Sequence, residues 1–246
     1  MRLASALLSL LGLLPAAGHA ASCTASEFDG ARFTICSVEL DRDDLRLFHT
    51  DADGRPYGSF RAVDAALRGE GLRLGVAMNA GMYHADRMPV GLYVENGRET
   101  SPLVTAAGPG NFGLLPNGVF CVEGERARVI ESRRFAAEPP ACDFATQSGP
   151  MLVIDGALHP RFLESGSSTY VRNGIGVSDD GRTVYMAISD ERVNFHHFGR
   201  LFRDGLEVSD ALYLDGSISR LYDSAAPRHD IGPAMGPIVG TVERVE

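Results

Sequence analysis

Short apolar runs of four to six residues, separated by turns rich in glycine, proline and aspartate, fill most of this chain. Runs of that length, bounded by turn residues, predict strands rather than helices. Leu45 to His49, Leu74 to Met78, Val90 to Val94, Gly118 to Glu123, Ala127 to Ile130 and Met151 to Ile154 read this way. So do Gly174 to Ser178, Thr183 to Ile188 and Ala211 to Leu214. Upstream, residues 24–37 alternate around Phe33 and Ile35 and predict a first strand. Asn96-Gly97 and Asp179-Asp180-Gly181 mark hairpins. Helical spacing occurs twice. Phe60, Val63, Ala66 and Leu67 form one stripe behind Ser59, a capping side chain. Phe195, Phe198, Leu201 and Phe202 form the other, behind Asn194 and ending at Gly205. Residues 100–118 predict a long loop, 131–143 an exposed excursion, and 227–240 a Gly- and Pro-rich tail with one short strand.

The pattern also repeats. Strand, loop, capped helix, glycine, buried strand and Asn-Ala-Gly describe residues 45–81; the same order ending in Asp-Gly-Ser describes 183–217. Ser59 to Asn79 spans 20 residues and Asn194 to Asp215 spans 21. Two such units side by side would deliver Asn79 and Asp215 to a shared cleft. The expected fold is therefore a single α+β domain over residues 21–246, with a mixed sheet, few helices and two pseudo-repeated halves.

Composition adds an address. Residues 1–20 read as a secretory signal peptide: Arg2, the apolar run Leu3 to Leu14, then Gly18-His19-Ala20. That run is too short to span a bilayer, and no later stretch does better. Lipid attachment at Cys23 is disfavoured, because Ala20-Ala21-Ser22 lacks a leucine at the third position before it. Cys23, Cys36, Cys121 and Cys142 are an even set in an exported chain, which favours disulfides. Sequence order suggests Cys23–Cys36 and Cys121–Cys142, among three possible connectivities. Loss of Arg2 with the leader moves the formal charge from -9 to -10, unsuited to nucleic acid or an anionic membrane. All 23 basic residues are arginine, which leaves no lysine for a Schiff base and makes Arg the only permanent cation for an anion.

Polar clusters stand at the strand ends: Asn79 to His84, Gln147-Ser148-Gly149, Arg172-Asn173, Asp190-Glu191 and Asp215-Gly216-Ser217. Carboxylates, amides, a hydroxyl and a forked cation suit an anionic, hydroxyl-rich ligand. Hydrolysis of a sugar linked through phosphate fits them best, since carboxylates activate water or stabilise an anomeric cation and a guanidinium grips phosphate. A metal-dependent hydrolase built on His84, Asp86, His159, His196 or His197 competes, but these lack the i, i+4 spacing of a zinc helix. A serine hydrolase at Ser148 competes too, without a G-x-S-x-G elbow and ahead of a strand rather than after one. A glycan-binding or matrix-associated envelope protein that has lost turnover is the non-enzymatic alternative.

Taken in order, Met78-Asn79-Ala80-Gly81-Met82-Tyr83, Gln147-Ser148-Gly149-Pro150-Met151-Leu152 with Asp155-Gly156, Arg172-Asn173-Gly174-Ile175-Gly176, and Leu214-Asp215-Gly216-Ser217 resemble the phosphodiester glycosidase family. The resemblance spans roughly residues 30–240. It implies an α+β domain, glycosyl-phosphodiester hydrolysis, and a site lined by Asn79, Ser148, Gly149, Arg172, Asp215 and Gly216. The family's Leu-Asp-Gly-Gly-x-Ser becomes Leu214-Asp215-Gly216-Ser217-Ile218-Ser219 here. These departures look like a bacterial, periplasmic or secreted branch acting on envelope or exopolysaccharide material. On this reading Asp215 is the acid/base or electrostatic group, Asp190 the second carboxylate, and Arg172 the phosphate ligand. Substrate contacts are expected from Asn79, Gly81, Tyr83, His84, Gln147, Ser148, Gly149, Asn173, Gly216 and Ser217. The partner is a carbohydrate or sugar-phosphate substrate, and the chemistry calls for no cofactor and no metal.

Overall fold

The computed structural model describes residues 21–216 and 218–245, so the signal-peptide reading and Ser217 lie outside the described residues. The chain opens with β1 (Ser22–Phe28), β2 (Ala31–Glu39), β3 (Asp44–Phe48), α1 (Phe60–Arg68) and β4 (Leu72–Asn79). It continues through β5 (Tyr93–Glu95), β6 (Arg98–Ser101), β7 (Gly118–Glu123), β8 (Arg126–Glu131) and α2 (Ser132–Ala137). Next come β9 (Phe144–Ser148), β10 (Met151–Ile154), β11 (Ala157–Leu158), β12 (Asn173–Val177) and β13 (Thr183–Ser189). Helix α3 (Phe195–Arg200) extends as a turn of π-helix to Gly205. The remaining strands are β14 (Asp210–Tyr213), β15 (Leu221–Asp223), β16 (Arg228–His229) and β17 (Ile238–Arg244).

These strands form three sheets, in the orders β1-β2-β13-β12-β14-β10-β11, β16-β15-β4-β17-β3 and β6-β5-β9-β7-β8. All three turn one face to a common core, where Val38, Met186 and Leu212 meet Leu47, Val76 and Met78, and Tyr93, Phe120 and Val122. Alternation along β7 shows the logic: Phe120 and Val122 face that core, while Val119 and Cys121 face Phe135 of α2. Each outer face carries one helix. Phe60, Val63 and Leu67 of α1 cover Leu74, Ala77 and Ile238; Phe198, Leu201 and Phe202 of α3 cover Phe33, Leu152 and Ala211. Ser59 caps α1 by accepting from the Ala62 N–H at 3.2 Å, and Asn194 caps α3 by accepting from the His197 N–H at 2.8 Å.

The α+β class with few helices is observed. Every strand pair among the described residues is antiparallel, which corrects the mixed sheet expected from the repeat. The reason lies in the repeated unit itself. In 45–81, β3 and β4 are joined through α1 but do not pair; β17 lies between them and pairs with both. In 183–217, β13 and β14 are joined through α3, and β12 lies between them. Each unit is a split β-α-β crossover, parallel across a gap that an antiparallel strand fills. The first strand expected over 24–37 is a hairpin turned at Asp29-Gly30, both with positive φ. The excursion 131–143 contains α2, and the tail from 227 holds two strands, β16 and β17, rather than one.

Asn96 and Gly97 adopt φ of 51° and 71°, the left-handed pair that closes β5 onto β6. Cys23 is bonded to Cys36 and Cys121 to Cys142. A Cys23 held in this way offers no thiol to a lipid. No helix among the described residues is long and apolar enough to cross a membrane.

Candidate functional site

Asn79 ends β4 of the first split unit and Asn173 starts β12, the strand that fills the gap of the second, so each contributes one amide to the seam between two sheets. Both are buried. The Asn79 amide nitrogen donates to the carbonyl of Asp215 at 2.9 Å, and its oxygen accepts from the backbone N–H of Arg220 at 2.9 Å. Asn173 donates to the Asn79 carbonyl at 2.9 Å and accepts from the Ser219 hydroxyl at 3.1 Å. Two side chains thus fix the loop from Asp215 to Arg220 at both ends. A buried amide that meets its partners is held tightly, because losing them strands polar atoms away from water.

Arg172 sits behind this loop and is 1% exposed. Its Nε donates to the Val193 carbonyl at 2.9 Å, Nη2 to the Ser168 carbonyl at 2.8 Å and Nη1 to the Tyr213 hydroxyl at 3.2 Å. The guanidinium carbon lies 3.6 Å from the ring centroid of Phe195. Burial pushes its pKa down, with Tyr213 opposing. The Tyr213 hydroxyl also accepts the Gly216 N–H. Arg172 therefore acts through Tyr213 on the backbone beside Asp215, with its donors turned to protein carbonyls and rings.

In front of the loop lies a cleft of about 480 Å³ lined by Gly216, Ile218, Ser219 and Arg220 on one wall. Tyr170, Val171 and Arg192 form the second wall, and Asp230 to Pro233 the third. Arg220 is 6% exposed, with one donor on the Pro233 carbonyl at 2.5 Å, and burial lowers its pKa. Tyr83, half-buried, has its phenol pushed up first by burial and then by the Asp215 charge, with Arg220 opposing. Tyr213 is likewise raised by burial, with Arg172 opposing and Asp215 adding to the rise. Asp215 thus acts on two neutral phenols, and the Arg220 cation on one of them.

The other expected residues scatter. Asp190 is an exposed residue whose carboxylate meets the Arg228 guanidinium at 2.6 Å and the Thr34 hydroxyl at 3.1 Å, away from the cleft lining. Arg228 reaches Asp230 on its other side at 3.4 Å, so the carboxylate that faces the cleft is Asp230. Gln147 is buried, with its oxygen on the N–H groups of Leu92 and Val104 and its nitrogen on the Val104 carbonyl and Ser132. It tethers the long loop instead of lining the cleft. Ser148 is fully buried with its hydroxyl unpartnered, and Gly149 packs against Asn117. Gly81 presses on Thr146 and Gln147. His84 is exposed in the turn that follows Tyr83. His159 stacks on Phe162, and His197 sits beside the Phe28 carbonyl. Among the described residues no three His, Cys, Asp or Glu side chains gather closely enough to hold a metal ion. Arg220, Arg192, Tyr170, Tyr213 and Asp230 escaped the sequence reading; Arg220 alone had a signal, standing five residues past Asp215 in the same polar segment.

The phosphodiester glycosidase family model matches residues 73–229, a span that holds Asn79, Arg172, Asn173, Asp215 and Arg220. The chain belongs to the phosphodiester glycosidase family. A relative in Escherichia coli K12, the uncharacterized protein YigE, is 34% identical over 212 residues, covering 86% of this chain and 82% of that one. Among solved structures, the catalytic domain of zebrafish N-acetylglucosamine-1-phosphodiester alpha-N-acetylglucosaminidase, auto-inhibited by its pro-peptide, is similar with a TM-score of 0.60. The match covers 91% of this chain and 82% of that chain at 12% identity, a likeness of fold. A putative exported protein from Burkholderia pseudomallei gives a TM-score of 0.55 at 11% identity, covering 86% and 74% of the two chains. The fold is thus that of a family of glycosidase-type hydrolases.

Gly216 is where this member of the family leaves least room. A Cβ there would lie 1.6 Å from the Tyr213 hydroxyl, which cannot retreat because Arg172 holds it. Gly216→Ala is expected to shift the loop and the Tyr213 ring, lowering stability by about 1–3 kcal/mol. Denaturant melts of the two proteins check this; an unchanged midpoint would show that the contact is soft.

Proposed function

We propose that this protein hydrolyses a glycosyl-1-phosphodiester in the cleft beside Asp215 and Arg220, outside the cytoplasm. The observation that carries the proposal is the single Asn79 amide holding the Asp215 carbonyl and the Arg220 N–H, which sets a carboxylate and a cation at opposite ends of one short loop. Family membership and the fold support the reaction class, and two disulfides with an exported structural neighbour support the compartment.

The chemistry follows from the leaving group. A phosphate ester is a weak base, so its departure needs charge neutralisation more than a proton. Arg220 and Arg192 supply that charge from two walls of the cleft. The Tyr83 phenol, kept neutral by burial and by Asp215, donates to the Ala234 carbonyl over a long 3.4 Å and can turn that hydrogen bond to the substrate. As the anomeric C–O bond breaks, its electron pair leaves on the phosphate oxygen. Asp215 stabilises the cation that forms at the anomeric carbon, or takes a proton from the water that attacks it. The exposed Tyr170 ring offers a face for the sugar in a chain without tryptophan. Arg172 and Tyr213 position the loop.

The test is a comparison of leaving groups. The wild type should cleave a glycosyl phosphodiester well and an uncharged aryl glycoside of the same sugar poorly. Arg220→Ala should lower kcat/KM for the phosphodiester by roughly 10²-fold and leave the neutral substrate nearly unchanged. Equal losses on both substrates would remove Arg220 from the phosphate.

A further inference from the structure

We propose that cutting the chain between Ala20 and Ala21 creates an α-ammonium that docks on Asp43 and completes the fold. The step is a hydrolysis by a leader peptidase: water adds across the peptide bond, the hydroxyl goes to the Ala20 carboxyl, and the Ala21 nitrogen leaves as an amine. At neutral pH that amine takes a further proton, since α-amino groups titrate near 7.7–8.0.

Ala21 is 8% exposed and packs into the core shared by the three sheets. Its backbone nitrogen already bonds to the Asp43 carboxylate. What holds the nitrogen there lies downstream of the cut. Ser22 pairs with Ser37 and Cys23 with Cys36, and the Cys23–Cys36 disulfide locks that register two residues past Ala21. The register continues β2 to Glu39, whose N–H donates to Asp43 at 2.7 Å and whose carbonyl accepts the Asp43 N–H at 2.8 Å. Removing the leader therefore leaves the donor and the acceptor in place and adds a positive charge to one of them. The surroundings call for that charge. A hollow of about 570 Å³ beside Asp43 is lined by Asp41, Asp43, Asp44 and Asp143; Asp41 meets Arg42 at 3.5 Å and Asp44 is bonded to Arg46, so four carboxylates face two arginines. Burial raises the Asp43 pKa above the usual carboxylate value, with the Glu39 and Ala21 N–H groups and Arg42 opposing. An ion pair on a half-buried carboxylate, both ends pre-fixed, gains more than one between mobile surface chains.

Absence of lysine gives an unusually clean experiment, because the α-amine is the only primary amine in the mature chain. The exported protein is purified, its N-terminus read by mass spectrometry, and its acylation by an amine-selective N-hydroxysuccinimide ester followed as a single mass adduct. The chain should begin at Ala21, and the folded protein should react about tenfold more slowly than Asp43→Asn. A Gly-Ser extension before Ala21 separates this from misfolding: folded by circular dichroism, it should react fast, melt lower, and lose less on Asp43→Asn than the mature chain does, because the Glu39 N–H still donates to residue 43 in both. A different N-terminus would overturn the proposal. So would acylation at one rate in all three proteins, or the same loss on Asp43→Asn with and without the extension.

Discussion

Asp215→Asn should retain the fold and lose turnover, with kcat on a glycosyl phosphodiester falling roughly 10²–10⁴-fold and KM changing little. The substitution keeps the shape of the side chain and deletes its charge. The bonds that the Asp215 backbone makes to Asn79, Ala80 and Ile218 are left in place by the substitution. A collapse in melting temperature with this variant would mean that the carboxylate is structural. A variant as fast as the wild type would transfer the catalytic role elsewhere, with Asp230 the first candidate from the cleft lining.

Asn79→Ala should be the more damaging change, in both stability and activity. It removes an amide that is 1% exposed and leaves the Arg220 N–H without its acceptor and the Asp215 carbonyl without its donor. Each stranded group costs about 1–3 kcal/mol, so a total of roughly 2–6 kcal/mol is expected, measured as a shift in the denaturant midpoint. Activity of the fraction that remains folded should fall with it, because the carboxylate and the cation lose the tie that sets their separation. Asn79→Asp is the informative partner. It keeps the acceptor for Arg220 but sets a buried carboxylate oxygen against the Asp215 carbonyl, so it should be no more stable than Asn79→Ala, and activity should stay low. Full activity in Asn79→Ala would show that the loop from 215 to 220 is held by other means.

Much of this arrangement was legible in the sequence because it is local. Buried strands that end abruptly in Asn-Ala-Gly and Asp-Gly-Ser, each about twenty residues past a capped helix, announced two matching units and hence the meeting of Asn79 with Asp215. Capped helices and the Asn-Gly hairpin were equally readable, since a few adjacent residues decide each. What the sequence hid is long-range. Strand β17 threads between β3 and β4 from a Gly- and Pro-rich tail, and nothing local marks it as an inner strand of a sheet. Arg172 read as an anion grip because the chain offers only arginine for the task; its burial depends on Phe195, Val193 and Tyr213, brought in from a helix, a bridge and a neighbouring strand. Asp190 read as a free carboxylate at a strand end, but Arg228 of the tail neutralises it. Arg220 acquires its place through the Asn79 oxygen, 141 positions away.

The measurement closest to the central claim is release of free sugar from a glycosyl-1-phosphodiester, such as a nucleoside-diphosphate sugar, by the wild type beside Asp215→Asn and Arg220→Ala. Catalytic release by the wild type, abolished by the first substitution and weakened by the second, is the expected outcome. Saturable binding of the same compound with no sugar released by any of the three would contradict it, and would leave a glycan-binding protein on a hydrolase fold.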